Sequence, residues 1–368
     1  MHTIKFVDLS SQYLSIKREI LNKIDEVLTS GDYILSNEVE SFEKSFAKFC
    51  DTKYAVSVAN GSDALFICLK SLGIGPGDEV ITAPNSFVAT AWAIANTGAK
   101  IVFCDVDETM NVNPNLIENL ISKNTRAILP VHLTGRIANM TKINKISQKY
   151  DIHVLEDSAQ AIGATLNGEK AGSFGNCAGF SLHPLKNLHV YGDGGIITTN
   201  DENIYHFLKK YRNHGLKNRN ECEFWGVNSR LDEVQAGIAN IKLKYINKWN
   251  NRHREIANKY IAELGQYVIV PRYSKIEAPV FHRFMIQTPQ RNKLKNYLMK
   301  KGVHTAINYP IPLPYHQAAK KYGYKYGDFP VTEKLSNTIL SLPIYPTLSN
   351  SMVDYVIQKV IQFFDETF

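Results

Sequence analysis

The stretch AGFSLHPLKNLHVYGDGGIITT, residues 178–199, joins two apolar, β-branched runs through a loop that contains one lysine, Lys186, and a cluster of glycines. This connection is too short to hold a helix between two parallel strands, so it predicts a hairpin-like turn or an excursion at a sheet edge. A lone lysine in a loop is usually a solvated surface charge. The segments around it therefore decide whether Lys186 has a chemical role.

Seven short β-branched runs lie between residues 50 and 200, and they begin near residues 55, 79, 101, 127, 153, 178 and 194. Runs without strict polar alternation, separated by helix-length connections, are typical of strands that are covered on both faces. The sequence therefore predicts an α/β fold with a mostly parallel seven-stranded sheet in a large domain.

The pattern changes after residue 230. Residues 231–265 predict one long helix that ends at Gly265, with Trp249 as the place where a break would fall. YVIVP (267–271) and VFHRFMI (280–286) are strand candidates, followed by a helix, a Pro-rich loop and a C-terminal amphipathic helix. We expect a large domain over residues 1–245 and a smaller α+β domain over 246–368. The N-terminal helical segment is a candidate to pack on the smaller domain.

Composition narrows the function classes. The net charge of +7 comes mostly from scattered lysines without a dense basic run, which argues against nucleic-acid binding. The five cysteines are odd in number and have no CxxC spacing, which argues against a metal site or a disulfide framework. No apolar run is long enough to cross a bilayer and no signal peptide is recognisable, so we expect a cytoplasmic protein without a membrane partner.

Two other segments contain polar groups at the ends of predicted strands. Asn60, Gly61 and Ser62 lie between a strand and a helix, where free N–H groups suit a phosphate, although an ordinary helix cap explains them as well. HVLEDSAQAIGA (153–164) ends a strand with Glu156 and Asp157. Such an acid could cap the next helix, bind a metal or pair with a cationic ring nitrogen, and no further metal-ligand spacing follows it.

The three segments together predict a pyridoxal 5'-phosphate site, because that cofactor needs all three groups. A lysine forms a Schiff base with it, an acid keeps its ring nitrogen protonated, and a helix start binds its phosphate. Ligands of open α/β sheets bind at the carboxyl ends of the strands, where we expect these segments to meet.

From about residue 5 to the C-terminus, the chain resembles the sugar aminotransferases of the DegT/DnrJ/EryC1/StrS family, which have the fold type I architecture of aspartate aminotransferase. The segments that carry the resemblance, in family order, are FEKSFAKFC, NGSDAL, GIGPGDEVIT, SFVATAWAI, PVHLTGR, LEDSAQAIGA, FSLHPLKNL, GDGGIITTND and GVNSRLDEVQAGI.

The resemblance implies roles for individual residues. Lys186 is similar to the catalytic lysine that binds the cofactor, and Asp157 to the acid that faces the pyridine nitrogen. The other residues implied to bind the cofactor are Gly61, Ser62, Phe87, Gln160, Ser181 and Asn228. Asn228 matches an asparagine that reaches the phosphate from the partner subunit, which implies a homodimer with shared active sites.

Substrate contacts are implied for Arg230, His183, Asn308 and Tyr309. Arg230 could bind an anionic group of either substrate, or form a structural ion pair with Asp232 or Glu233. The chain departs from its relatives here, because Asn308 and Pro314 replace two histidines and His183 stands where an aromatic residue is common.

The resemblance implies an aminotransferase that moves an amino group from L-glutamate to a nucleotide-linked keto sugar. The form KNLHVYGDGG (186–195) is similar to that of family members acting at C3, so a dTDP-linked 3-keto-6-deoxyhexose is the first expectation and a UDP-linked 3-keto N-acetylhexosamine the second. Three alternatives remain: amination at C4, a sugar dehydratase with histidine in place of the lysine, which Lys186 argues against, and a non-catalytic ligand-binding regulator.

Overall fold

The structure is a computed structural model that describes residues 3–367. Its α-helices are α1 Leu9–Ser30, α2 Asn37–Phe49, α3 Gly61–Ser71, α4 Val88–Thr97, α5 Pro114–Ile117, α6 Met140–Tyr150, α7 Glu202–Tyr211, α8 Glu233–Leu243, α9 Ile246–Leu264, α10 Arg291–Lys300, α11 Pro330–Thr338 and α12 Asn350–Thr367. Its strands are β1 Tyr54–Val58, β2 Glu79–Thr82, β3 Lys100–Phe103, β4 Thr125–Leu129, β5 His153–Asp157, β6 Thr165–Leu166, β7 Glu169–Lys170, β8 Cys177–Ser181, β9 Gly195–Thr199, β10 Leu216–Asn218, β11 Glu221–Cys222, β12 Glu277–Ala278, β13 Phe284–Gln287 and β14 Ile339–Leu342.

The main sheet contains the seven predicted strands in the order β1-β9-β8-β5-β4-β2-β3. Its neighbours are parallel except at β9, which runs antiparallel to both β1 and β8. Every residue of β8 and β9 is buried, because α3 covers one face and α2 and α8 lie on the other side. The predicted α/β class with a mostly parallel sheet is confirmed.

Lys186 lies in the loop that joins β8 to β9. The two strands form a continuous antiparallel ladder from the Cys177–Thr199 pair to the Ser181–Gly195 pair. The connection is therefore a hairpin-like excursion, but it does not lie at a sheet edge, since β9 is inserted between β8 and β1. This arrangement brings the loop to the same end of the sheet as the carboxyl end of β5.

The helical segment after residue 230 is broken earlier than predicted. The structure has α8 and α9 in place of one helix, and the break falls at Lys244 and Tyr245 rather than near Trp249. At the break, the N–H groups of Lys244 and Tyr245 bond to carbonyls three residues back, which tightens the last turn and ends the first helix. Trp249 is accommodated within α9, stacked on Tyr245 with ring centroids 5.7 Å apart.

The C-terminal strands also differ from the expectation. VFHRFMI contains β13, which pairs with β14, but YVIVP makes only an isolated bridge between Ile269 and Gln287. Helices α9, α10 and α12 pack with β13 and β14 around a second group of buried apolar side chains. The division at residues 245 and 246 stays a prediction.

The N-terminal segment divides between the two parts of the molecule. Ile4 pairs through its backbone with Gly302 and His304 and packs among the C-terminal apolar side chains, whereas helix α1 packs on α8. None of the helices in the described part of the chain combines the length and the apolar character that a membrane span requires.

Candidate active site

A cavity of about 1030 Å³ opens at the carboxyl ends of the central strands. It is lined by the start of α3, the start of α4, the end of β5, the β8–β9 loop and the segment around residues 308–322. The predicted site residues that line it are Gly61, Ser62, Phe87, Asp157, Gln160, Ser181, His183, Lys186, Asn308 and Tyr309. The fold therefore brings most of the predicted site together in one place.

Lys186 lines this cavity from the β8–β9 loop. Hydrogen bonds of the Lys186 backbone fix the conformation of that loop. The Lys186 N–H donates to the His183 carbonyl at 2.8 Å, and the Lys186 carbonyl lies 3.0 Å from His189 Nδ1. Removal of the amine from bulk water lowers the pKa of Lys186 to about 8, against an opposing effect of the Asp157 charge. About a tenth of this amine is therefore uncharged at pH 7, far more than for an ordinary lysine, and the uncharged amine is the form that a nucleophile or a proton acceptor requires.

Asp157 ends β5 with its carboxylate in the cavity and is 5% exposed. Its Oδ2 accepts a hydrogen bond of 2.7 Å from the Thr90 hydroxyl, and its Oδ1 accepts one of 3.2 Å from the Ala159 N–H. Burial raises the pKa of Asp157, while the Thr90 bond and the Lys186 charge act in the opposite direction. Thr90, which sequence reasoning missed, therefore helps to keep this carboxylate ionised.

The neighbouring acid, Glu156, has a different role. Successive side chains of a strand point to opposite faces, so Glu156 points away from the cavity. Its carboxylate accepts N–H bonds from Gly172, Phe174 and Gly175 at 2.8–2.9 Å and lies 2.9 Å from His132 Nε2. Glu156 thus fixes the loop before β8, which leaves Asp157 as the acid available to a ligand.

The start of α3 has the features of a phosphate site. Asn60 caps the helix by accepting a 2.8 Å bond from the Asp63 N–H, and neither Gly61 nor Ser62 has an acceptor for its N–H among residues 3–367. Gly61 lies so close to β8 that an added Cβ would stand 2.6 Å from the Ser181 Cβ. Only glycine permits this contact, which brings the Ser181 hydroxyl to the open helix start.

These donors fit pyridoxal 5'-phosphate. The open N–H groups and the Ser181 hydroxyl match a phosphate, the Lys186 amine matches an aldehyde, and the buried Asp157 carboxylate matches a protonated ring nitrogen. Phe87 lines the same cavity and is 51% exposed. Its ring is therefore available to contact the flat ring of a cofactor bound between these groups.

Gln160, Tyr309 and Phe87 form a second polar and aromatic part of the cavity. Gln160 Oε1 accepts a 2.8 Å bond from the Thr134 N–H, which fixes the amide. The rings of Phe87 and Tyr309 lie 5.8 Å apart. Burial raises the pKa of Tyr309 to about 12, so its hydroxyl stays protonated as a donor at neutral pH.

The two implied substrate contacts that depart from the relatives lie at the more open side. The His183 side chain is exposed to solvent over part of its surface only. Its partial burial and the Lys186 charge lower its pKa, so the imidazole is neutral at pH 7. Asn308 Oδ1 accepts a 3.1 Å bond from the Ser341 hydroxyl on β14, which orients the amide.

Asn228 and Arg230 do not line the cavity within this chain. Asn228 is exposed and its backbone pairs with Asn213, whose side chain accepts a 3.1 Å bond from the Arg230 guanidinium. The alternative ion pair of Arg230 with Asp232 or Glu233 is absent from the described residues. The Glu233 carboxylate instead accepts a 2.7 Å bond from the Glu38 N–H at the start of α2.

Sequence reasoning also missed Arg283, which lines the cavity although it lies in a run interpreted as an apolar strand. The signal was present in VFHRFMI, where His282 and Arg283 interrupt an otherwise apolar segment directly before β13.

Comparison with known proteins agrees with this geometry. The model of the DegT/DnrJ/EryC1/StrS aminotransferase family matches residues 14–361. A dTDP-3-amino-3,6-dideoxy-alpha-D-galactopyranose transaminase of Aneurinibacillus thermoaerophilus is 41% identical over 97% of this chain and 98% of its own length. A protein of Geobacillus stearothermophilus named "Pleiotropic regulatory protein" is 40% identical over 98% of both chains. The crystal structure of S. venezuelae DesV in complex with a ketimine intermediate superposes with a TM-score of 0.97 at 36% identity and 99% coverage of each chain.

The fold and the lysine-containing cavity therefore define an enzyme of the aminotransferase class. The chain belongs to the DegT/DnrJ/EryC1/StrS aminotransferase family, as its sequence motifs predicted.

Proposed function

We propose that this protein transfers an amino group from L-glutamate to a 3-keto sugar carried on a nucleotide, with pyridoxal 5'-phosphate as its cofactor. The observation that carries the proposal is the joint presence of Lys186, Asp157 and the open start of α3 at one cavity. Two relatives support a sugar acceptor, since the A. thermoaerophilus protein and a Streptomyces venezuelae relative are both named as transaminases of dTDP-3-amino sugars.

Each group of the chain would act at a defined part of the cofactor. Lys186 would hold it covalently, the N–H groups of Gly61 and Ser62 with the Ser181 hydroxyl would bind its phosphate, and Asp157 would face its ring nitrogen. When bound, the cofactor supplies a conjugated ring that accepts electrons from the carbon bearing the amino group.

Lys186 also moves the proton once its amine is free. With a pKa of about 8, the amine can accept a proton from Cα of the donor and would return it to C4′ of the cofactor. Burial raises the pKa of Asp157, and the bond from Thr90 opposes this by favouring the carboxylate. Reversal of the same steps on the keto sugar completes the transfer.

The cavity volume of about 1030 Å³ exceeds that needed for the cofactor alone and leaves room for a nucleotide-linked sugar. A dTDP-linked 3-keto-6-deoxyhexose is our first choice, and a UDP-linked 3-keto N-acetylhexosamine is the second. Both belong to the biosynthesis of amino sugars for surface polysaccharides or glycosylated metabolites, and we place the enzyme in the cytoplasm, where nucleotide sugars are made.

We further propose a homodimer in which Asn228 completes the phosphate site of the partner subunit. Asn228 is exposed, and the nearby Trp225 is 90% exposed, which is unusual for a large apolar side chain unless another surface covers it.

To test the shared site, Lys186→Ala chains are mixed with Asn228→Ala chains. After full exchange, the equimolar mixture should regain up to about a quarter of wild-type activity, because about half of the dimers are heterodimers and each of these has one intact site of two. Verified subunit exchange without recovery would place Asn228 outside the partner's site.

The function itself is tested by incubating the holoenzyme with L-glutamate and a panel of 3-keto and 4-keto nucleotide sugars, followed by mass spectrometry and NMR of the products. We expect one nitrogen at C3 and release of 2-oxoglutarate. Nitrogen at C4, with the 3-keto sugars refused, would replace the proposed substrate.

A ligand-binding regulator is a second candidate, because the G. stearothermophilus relative is named for a regulatory role. A regulator without catalysis would leave the visible absorbance of the bound cofactor unchanged when glutamate is added. The enzyme we propose would lose that absorbance within seconds.

A further inference from the structure

Asn187, the residue that follows Lys186, has a buried side-chain amide whose hydrogen bonds all leave the β8–β9 loop. The side chain is 8% exposed. Its Nδ2 donates to Asn250 Oδ1 at 2.9 Å and to the Val280 carbonyl at 3.2 Å, and its Oδ1 lies 3.2 Å from His282 Nδ1. The amide therefore uses its nitrogen and its oxygen on three partners outside the loop.

These three partners belong to two other parts of the chain. Asn250 lies on α9, is 1% exposed, and donates from its own Nδ2 to the Ile162 carbonyl at 2.9 Å. Ile162 follows Asp157 in the turn after β5, and the other two partners lie in the segment directly before β13. The amide thus connects the β8–β9 loop to α9, to the turn after β5 and to the C-terminal part of the molecule.

The packing around this network leaves little room for rearrangement. An added Cβ at Gly163 would stand 2.7 Å from Asn250 Nδ2, so only glycine permits the contact. Burial lowers the pKa of His282, and the neutral imidazole can donate from Nδ1 to Asn187 Oδ1. Every nitrogen and oxygen of the two amides therefore has a partner, and a buried network that is fully bonded is rigid.

The other polar side chains of the loop bond within it. His183 Nδ1 accepts a backbone N–H of the loop at 3.2 Å, and His189 Nδ1 lies 3.0 Å from the carbonyl of the reacting lysine. At the far end of the loop, the Tyr191 backbone bonds to the Gln235 side chain on α8. Next to the lysine itself, the Asn187 amide is what ties the loop to its surroundings.

We propose that Asn187 is a positioning residue for Lys186, and that its clamped amide sets where the lysine amine stands in the cavity. This inference rests on the proposed function, in which that amine accepts a proton from one carbon and returns it to another. Proton transfer needs hydrogen-bond distance, and a displacement of about 1 Å can cost about 100-fold in rate. Because a lysine side chain is long and flexible, its amine is placed accurately only if its backbone is fixed.

The first test follows the glutamate half-reaction of the holoenzyme in Asn187→Ala. At saturating glutamate, the rate should fall about 10- to 100-fold. The glutamate concentration for half the maximal rate should change less than about threefold, because Asn187 does not line the cavity of about 1030 Å³. With deuterium at Cα of glutamate, the isotope effect should be larger than in the wild type, because a misplaced amine slows the proton transfer itself.

Visible circular dichroism of the bound cofactor gives a readout that does not depend on turnover. Pyridoxal 5'-phosphate is not chiral, so this signal arises from the asymmetric way in which the chain holds it. In Asn187→Ala, the amplitude should be lower than in the wild type at equal cofactor content, because Lys186 is less well fixed.

The matched control is Asn111→Ala. Asn111 is 1% exposed and does not line the cavity, and its amide also bonds to two groups, the Arg136 carbonyl at 3.1 Å and the Leu133 N–H at 3.0 Å. This variant should lose a comparable amount of thermal stability and keep the rate within about threefold of the wild type, with unchanged dichroism. Equal losses of rate in the two variants would overturn the positioning role.

Asn250→Ala removes one partner of the amide without changing the neighbour of Lys186. It should slow the half-reaction less than Asn187→Ala does, and the double variant should lose little more than Asn187→Ala alone, because both substitutions act through one network. Additive losses, or a wild-type rate in Asn187→Ala, would overturn the assignment. If Asn187→Ala does not fold, wild-type rate and dichroism in Asn250→Ala would overturn it.

The proposed function fails in a different way. If no keto sugar accepts an amino group from the wild-type enzyme, the proposed acceptor is wrong. The glutamate half-reaction and the dichroism of the cofactor still decide the role of Asn187, because neither needs the sugar.

Discussion

Asp157 ends a strand of the main sheet and Lys186 lies in the loop between two of its strands, whereas Asn308 and Tyr309 lie in the long segment between α10 and α11. The first region is fixed by backbone ladders and by a buried threonine, so its geometry depends on the fold as a whole. The second has no strand ladder: an isolated backbone bridge between Ala306 and Ser341 and the side-chain bond from Ser341 to Asn308 hold it. The chemistry is therefore built on rigid elements and the substrate contacts on a loop, which can vary without loss of the reaction.

The substitution with the largest expected effect lies in the first region, at Lys186. Lys186→Ala removes both the covalent link to the cofactor and the group that moves the proton, so turnover should fall by about four orders of magnitude or more. The variant should still fold and retain cofactor through the phosphate donors and Asp157. Steady-state rates with glutamate and a keto sugar, and cofactor content by absorbance, provide the measurement. Turnover close to that of the wild type would remove Lys186 from the mechanism.

Asp157→Asn tests the second group of that region. It keeps the shape of the side chain but removes the charge that would hold the ring nitrogen protonated. We expect turnover to fall on the order of 100- to 1000-fold, with faster loss of cofactor on dialysis. A variant with unchanged turnover would leave Asp157 only the role of fixing the turn after β5, through the bond that it accepts from the Ala159 N–H.

Thr90→Val tests the support of Asp157. The Thr90 bond favours the carboxylate, so its loss raises the pKa of Asp157 further. Activity needs the ionised acid and falls as pH drops through that pKa. In the variant, the acid limb of the pH profile should therefore move to higher pH, with a loss of about three- to tenfold near pH 7.

The control for this variant is Thr97→Val. Thr97 lies on the same helix, is buried and donates 2.7 Å to the Ile94 carbonyl, but it does not line the cavity. Its pH profile should match the wild type. An equal shift in both variants would indicate a general effect of helix α4 rather than a bond to Asp157.

The same contrast explains what the sequence could predict. The strands of the main sheet are continuous apolar runs, and Lys186 and Asp157 follow them directly, so local pattern and spacing were enough. The pairing of β6 with β12 joins residues more than a hundred positions apart, and the isolated bridge between Ile269 and Gln287 crosses the loop before β13. Neither contact is encoded by a local pattern. Arg283, which directly precedes β13, was missed for a related reason: the role of a single arginine depends on the groups that surround it in the fold.

The substitution with the smallest expected effect lies in the second region, at Asn308. The Ser341 hydroxyl donates to Asn308 Oδ1, which leaves the amide NH₂ group to donate to a ligand in the cavity that Asn308 lines. In Asn308→Ala, the keto-sugar half-reaction should lose about two- to tenfold in kcat/KM, the size of one neutral hydrogen bond, while the glutamate half-reaction is unchanged. In Ser341→Ala, the Asn308 amide stays in place but can rotate. This variant should therefore lose less kcat/KM than Asn308→Ala, and in the same half-reaction. If Asn308→Ala instead slowed the glutamate half-reaction, Asn308 would belong with Lys186 and Asp157, and the separation between a fixed chemical region and a variable substrate region would not hold at this residue.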